Sequence, residues 1–358
     1  MAEPDRSLGV ARPGVPAFFP TPAPAPGPGQ FRVETVATGL SAGTELTFVK
    51  GTNPYHRQTW DRRLRVFRGG DPTSRYPVRA MGYMEVGRVT DTRVDGLREG
   101  ALLAMAYGHR SAYTADGAEF RYPVPVELDP LLGIFVAQMG PICANGLLHA
   151  AYDVSGPALT GLGDGVAGRR VLVTGAGVVG LLTAAFAADR GAAAVAVADP
   201  TPRRLAAARA LGVQAVDERA GPAWEWCKTT WPGGADLAFQ CRGRSAALVT
   251  ALKAVRPRGT VIDLAFYTDG APDLRLGEEF HHNGLTLRCA QVGWRPPGCD
   301  AGWPLDRLAA ETVRLLRRIG SQLRAHLVTD VLPFDDAPAF LSDLAAGRRT
   351  SLQAVFVP

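Results

Sequence analysis

Residues 31–38, Phe-Arg-Val-Glu-Thr-Val-Ala-Thr, alternate apolar and polar side chains at the period of a half-buried strand. Residues 81–89 lead into a second strand, and 97–104 read as a turn followed by a third. Residues 38–45 form a polar, glycine-punctuated stretch that predicts a bend, and 50–79 a long covering loop. The pattern then lengthens. Residues 135–151 are predicted to be helical in large part, with Pro141 tolerated in a first turn. From 170 onward the two periods alternate: strands at 171–174, 194–198, 236–240 and 260–265, helices at 205–211 and 245–255. That alternation predicts a doubly wound parallel sheet. A helix at 304–319, a strand at 327–332, a helix at 335–346 and a strand at 352–357 close the chain.

The most informative junction follows the run 171–174. It passes without a spacer into Gly175-x-Gly177-x-x-Gly180 and then an Ala/Leu-rich helical segment. Gly175 permits the tight turn, Gly177 lets a pyrophosphate approach bare backbone, and Gly180 lets the helix pack on the strand. The phosphates would sit on the free N–H groups of Val178 and Val179, at the positive end of the helix dipole. Asp199 ends the next strand about twenty residues on, the usual place for an acceptor of ribose hydroxyl hydrogens. It points to NAD. Arg203 and Arg204 follow closely enough to keep NADP open.

Composition narrows the class. The 358 residues are 46% hydrophobic and 20% charged, with no apolar run of spanning length, so a globular protein without membrane partners is expected. No basic-then-apolar signal pattern opens the chain, and a cytoplasmic location is expected. The net charge of +5 comes mostly from dispersed arginines with no nucleic-acid module, so no nucleic-acid partner is expected. Residues 1–30, rich in Pro, Ala and Gly, predict a disordered arm. The five cysteines form no C-x-x-C pair, which argues against a structural zinc and against a disulfide framework.

A β-rich half with glycine bends, a linking helix, a nucleotide-binding α/β part and a return to the first half resemble the alcohol dehydrogenase type of the medium-chain dehydrogenase/reductase superfamily. The resemblance is carried by 39–45 (Gly-Leu-Ser-Ala-Gly-Thr-Glu), 82–89 (Gly-Tyr-Met-Glu-Val-Gly-Arg-Val), the glycine fingerprint and 280–284 (Phe-His-His-Asn-Gly). In wording it is nearest the branch of bacteriochlorophyllide, sugar and cyclitol dehydrogenase-like proteins. It implies a GroES-like catalytic domain at 31–150 and 298–358, a Rossmann domain at 151–297, a homodimer or homotetramer, and a role in specialised metabolism. Zinc members carry a cysteine in the first bend and Gly-His-Glu in the second; here those places hold Ser41 and Gly82-Tyr83-Met84, with Met139 near the third ligand's place. Hydroxyl, phenol and thioether suit Zn²⁺ poorly, so no metal is expected.

Hydride transfer without a Lewis acid needs another group to handle the alcohol proton. By the resemblance Tyr83 takes the vacated metal position, as a proton donor if a nearby cation lowers its pKa, or as filler of an emptied pocket. Thr44 matches the relay hydroxyl of metal-containing relatives, and Glu45 follows it. Glu85 and His109 could complete a relay; Glu85 could instead pair with Arg88, and His109 could lie away from the site. Cys143 should lie near the nicotinamide or be an inert buried thiol, and Cys241 sits where such folds pass under the nicotinamide ribose. His281 and His282 belong to a ligand-side loop or to a simple turn. Arg57, Arg62, Arg63, Arg65, Arg68 and Arg75, interleaved with Tyr55, Trp60 and Phe67, form either a site for an anionic or many-hydroxyl substrate or a solvated loop. The expected activity is a zinc-independent, NAD(P)-dependent interconversion of a secondary alcohol and a ketone on a polyol, sugar or cyclitol-like small molecule. An NADPH-dependent enone or quinone reductase and a non-catalytic dinucleotide-binding protein are the alternatives.

Overall fold

A computed structural model describes residues 5–358. The described residues divide into two compact units, 5–138 with 328–358 and 139–327. Both boundaries differ from those expected at 150/151 and 297/298. The helix Met139–Ser155 packs on the helices Val178–Asp189 and Leu305–His326, so its burial, not the end of the β-rich pattern, places it in the second unit.

The first unit is a largely antiparallel sheet. Its strands run in the order Val328–Pro333, Gln353–Val357, Gln30–Gly39, Glu85–Thr92, Leu102–Met105 and Tyr122–Pro123, with Ala112–Asp116 also paired to Gln30–Gly39. Gln30–Gly39 is central because its alternating Phe31, Val33 and Ala37 are fully buried. Two expectations are corrected here. The arm foreseen at 1–30 is folded over 6–20 as a hairpin, Arg6–Arg12 with Val15–Pro20, while residues 1–4 lie outside the described residues. Leu8 and Val10 are fully buried and Val10 bridges to Val78, a long-range partner that composition does not reveal. The bend foreseen at 38–45 is brief. Ser41 caps a helix over Ala42–Lys50 that closes at left-handed Gly51 (φ 71°).

The second unit is the doubly wound sheet. Its six parallel strands lie in the order Gln214–Asp217, Ala194–Asp199, Arg170–Thr174, Ala235–Gln240, Val255–Asp263 and Thr286–Cys289. The order in which the chain adds strands reverses between the third and fourth of these, first moving outward to one edge and then to the other, which makes a switch point at the C-terminal end of Arg170–Thr174, where the glycine motif begins. Asp236 lies within a strand, paired with Arg170 and Arg256, and does not end a loop. Among the described residues no helix is long and apolar enough to cross a membrane.

Candidate active site and dinucleotide cradle

In the first unit the Ser41–Lys50 corner, the turn before Glu85–Thr92 and the Gly108-His109 corner bring together two side-chain groups. The outer group is three hydroxyls. Tyr83, partly exposed, is hydrogen bonded through its phenol to Ser41 Oγ and lies 3.4 Å from Thr44 Oγ1. The inner group is an ion cluster. His109 Nε2 meets Glu45 Oε2, His109 Nδ1 lies 2.5 Å from Thr38 Oγ1, and Thr38 Oγ1 donates to Glu85 Oε1 at 3.1 Å. Glu85 Oε2 accepts from Gly108 N at 3.1 Å, and Glu45 Oε1 from Ser41 N at 2.7 Å. This last bond ties the two groups together through the backbone of Ser41. Glu85 and His109 are 0% exposed and Glu45 1%.

The satisfied form of the cluster follows from counting hydrogens. Thr38 has one, and giving it to Glu85 leaves its oxygen to accept from His109 Nδ1–H; His109 Nε2–H then serves Glu45. An imidazolium fills every position. Burial works against that charge, but the Glu45 carboxylate and its hydrogen bond, with Glu85 behind them, leave the His109 pKa raised. Burial pushes Glu85 up to about 7 against the pull of His109 and its hydrogen bonds. Gly82, at φ 101°, makes room for the ring: a Cβ there would come within 2.9 Å of the imidazole. The expected pairing of Glu85 with Arg88 does not occur, since Arg88 turns to Gly100 O. Tyr83 also departs from expectation. Burial raises its pKa, the hydrogen bonds with Ser41 and Thr44 lower it less, and the nearby Glu45 and Glu85 add to the rise. It is a phenol poised to donate, not a phenolate.

Both raised groups bind protons more tightly folded than unfolded, so their stabilisation is present at low pH and lost as pH rises through the folded values. For Glu85 the window runs from the ordinary 4.5 to about 7. His149, lowered by burial, slopes the other way, so a difference measurement is needed. Between pH 5.5 and 8 the wild-type urea-unfolding free energy should fall relative to Glu85→Gln by about 2 kcal/mol. A difference that grows with pH would show the sign to be wrong.

The second unit holds the cradle. Gly175 (φ 102°) turns the chain, and a Cβ on Gly177 would meet nothing within 4 Å, so the space before the backbone is open. A Cβ on Gly180 would lie 1.8 Å from Gly175 O. Gly177 precedes the twelve-residue helix Val178–Asp189 and no side chain caps it, which leaves the N–H groups of Val178 and Val179 for an anion. These residues fit a dinucleotide pyrophosphate. Asp199 is less available than expected. It is 1% exposed, and its two oxygens accept from Ala176 N (2.9 Å) and Thr201 N (2.8 Å). Arg204, 40% exposed, stands 3.8 Å from it.

The remaining candidates separate. Cys143 is buried and its thiol points to Val179 O at 3.4 Å; burial pushes its pKa up to about 12 and also raises that of Cys241, so both are inert thiols at neutral pH. His281 and His282 are exposed, in a short helix Glu279–His282 where His282 Nδ1 bonds Gly277 O, which is the turn-forming alternative. In the loop, Trp60 and Phe67 pack at 4.9 Å on the small hairpin Thr59–Asp61 with Val66–Arg68, and Tyr55 packs on Phe67 at 5.6 Å. Arg68 pairs with Asp61 and Arg75 with Asp71, while Arg57, Arg62, Arg63 and Arg65 are exposed. Sequence reasoning missed Thr38, which reads there only as the end of a strand.

An antiparallel unit with a two-hydroxyl corner under a phenol, joined in one chain to a parallel sheet with a glycine-motif turn, resembles in fold the alcohol dehydrogenase-like medium-chain dehydrogenases. Residues 178–294 match the family model described as zinc-binding dehydrogenase. The chain is 28% identical over 191 residues to D-guloside 3-dehydrogenase of Escherichia coli K12, covering 52% of this chain and 54% of that protein. It is 38% identical over 94 residues to sorbitol dehydrogenase of Bacillus subtilis 168, covering 26% and 27%. The chain thus spans about half or less of the length of these curated relatives. A Sinorhizobium meliloti 1021 protein solved with NADP bound shares the fold over the whole of both chains, with a TM-score of 0.75 and 20% identity.

The family's zinc does not fit the residues present. The bend offers Ser41 and Tyr83 hydroxyls, and Met84 is sealed in the core. Glu45, Glu85 and His109 spend their bonding positions on one another, Thr38 and the backbone. Among the described residues no three His, Cys, Asp or Glu side chains are grouped to hold a metal ion.

Proposed function

We propose that the protein is a zinc-independent, NAD(P)-dependent oxidoreductase that interconverts a secondary alcohol and a ketone on a polyol, sugar or cyclitol-like small molecule. The observation that carries this reading is Tyr83: a neutral phenol held by Ser41 and Thr44 at a place where zinc relatives have a metal ligand. A bound nicotinamide would take or give hydride at C4. Tyr83 would hydrogen bond to the substrate oxygen and, in the reducing direction, hand it a proton that is restored from solvent water by way of the Ser41 or Thr44 hydroxyl. The ion cluster beneath fixes Ser41 through its amide and thereby the phenol. The names of the sugar and polyol dehydrogenase relatives support the substrate class. Asp199 being enclosed while Arg204 is exposed supports NADP at least as well as NAD. A homodimer or homotetramer is proposed on the family resemblance.

The test is turnover of a polyol and sugar panel with NAD and NADP, with zinc content measured alongside. Activity should survive a strong chelator at less than stoichiometric zinc. Tyr83→Phe should lower kcat by about 10²–10⁴-fold with little change in cofactor binding. Stoichiometric zinc whose removal abolishes activity would overturn the reading, as would a fully active Tyr83→Phe.

A further inference from the structure

The ion cluster is buried, with His109 and Glu85 at 0% and Glu45 at 1% exposure, yet a cavity lies beside it. A cavity of about 370 Å³ sits within the first unit, and its lining includes Arg6, Arg32, Thr35, Thr38, Phe334 and Phe356. Two of these residues are the partition between cavity and cluster. Phe356 meets the His109 ring edge-on, with centroids 6.1 Å apart. Thr38 lines the cavity and is hydrogen bonded to both His109 Nδ1 and Glu85 Oε1. The cavity is polar on its outer wall, where Arg6 pairs with Asp335 and Arg32 with Asp5, and such a wall admits water.

We propose that Thr38 is a relay hydroxyl through which the buried His109–Glu45–Glu85 cluster exchanges protons with water in this rear cavity, independently of the Tyr83 side. The step balances without a co-reactant. The Thr38 hydroxyl hydrogen, which at rest is donated to Glu85 Oε1, turns to a cavity water and leaves to it as His109 Nδ1–H passes its proton to Thr38 Oγ; the reverse sequence reprotonates the ring. The groups facing His109 are the Glu45 and Glu85 carboxylates and the Thr38 hydroxyl, with the Phe356 ring on its edge. Those facing the cavity are Asp5, Arg6, Arg32, Glu34 and Asp335. Thr38 is a positioning residue that touches no substrate. Use of the route in turnover rests on the function proposed above; the exchange itself does not.

The experiment therefore reads the protein without substrate. In uniformly ¹⁵N-labelled full-length protein, the His109 ring N–H protons should appear far downfield because both are hydrogen bonded to oxygen. Exchange of the Nδ1–H proton with solvent should be at least 100-fold faster than that of the Gly108 amide, which donates to Glu85 in the same cluster. Mild urea should leave that rate unchanged. Thr38→Val should slow ring exchange at least tenfold, and Thr38→Ser, which keeps the hydroxyl, should restore it. Ring exchange as slow as the Gly108 amide, or accelerated by urea in step with it, would overturn the proposal by showing that the proton waits for unfolding. A folded Thr38→Val with unchanged exchange would also overturn it. If Thr38→Val fails to fold, the wild-type comparison with Gly108 and the urea dependence still decide.

Discussion

Glu45→Ala is expected to destabilise the folded chain by about 3–5 kcal/mol in urea unfolding at pH 7. The carboxylate is 1% exposed and holds two donors at once, His109 Nε2 and Ser41 N. Removing it leaves an imidazolium at 0% exposure with Glu85, 3.9 Å from Nδ1, as its remaining carboxylate, and frees the amide that starts the helix Ala42–Lys50. A buried charge stripped of its partner costs far more than the pair contributes net, because the surviving ion keeps its desolvation penalty. His109 should answer by losing its proton, so its raised pKa should fall in the variant. The double variant Glu45→Ala/His109→Ala should be less damaged than the sum of the two single changes, since neither charge is then left alone. A loss below about 1 kcal/mol for Glu45→Ala would mean the cluster is hydrated and contributes little.

Gly180→Ala is expected to abolish useful cofactor binding, weakening NAD and NADP by about 100-fold or more in calorimetric titration. The added methyl would stand 1.8 Å from Gly175 O, a backbone atom that no rotamer change can move aside. Relief requires the helix Val178–Asp189 to retreat from the strand Arg170–Thr174, and that displaces the N–H groups of Val178 and Val179 by the same amount. Gly177→Ala makes the useful contrast. Its Cβ meets no protein atom within 4 Å, so the fold should be unaffected, and any loss of affinity would come from contact with the ligand itself. Tight binding by Gly180→Ala would show that the cradle is not where the pyrophosphate sits.

Local patterns in the sequence were sufficient for most of the architecture. A period of two in 31–38, the Gly175-x-Gly177-x-x-Gly180 junction and the alternation after it require only neighbouring residues, and all three appear as strands, turn and helix at those places. Element ends were less legible. The helix foreseen at 304–319 runs on over Leu305–His326, because buried Leu323 and Gly320 extend its packed face beyond the clearest repeat. The hairpin over 6–20 was hidden altogether, since the contacts that order it lie at Val78 and Arg110.

The residue types for proton chemistry could likewise be picked out in advance: Tyr83, Thr44, Glu45, Glu85 and His109 all converge on one corner of the first unit. Their division of labour was decided only by tertiary structure. Thr38 and His109 are 71 positions apart and Glu45 and His109 are 64, so no spacing rule predicts that they share hydrogens. The same holds for Asp199, whose position in the strand follows from sequence but whose oxygens are claimed by the amides of Ala176 and Thr201. Sequence determined that this chain builds a glycine-turned strand and helix in a parallel sheet and a β-rich unit, because helix period, strand period and glycine sterics act over a few residues. Which buried groups carry charge, and which hydroxyls hold which protons, was decided by burial and long-range pairing, because desolvation and hydrogen-bond partners exist only once distant strands have been brought together.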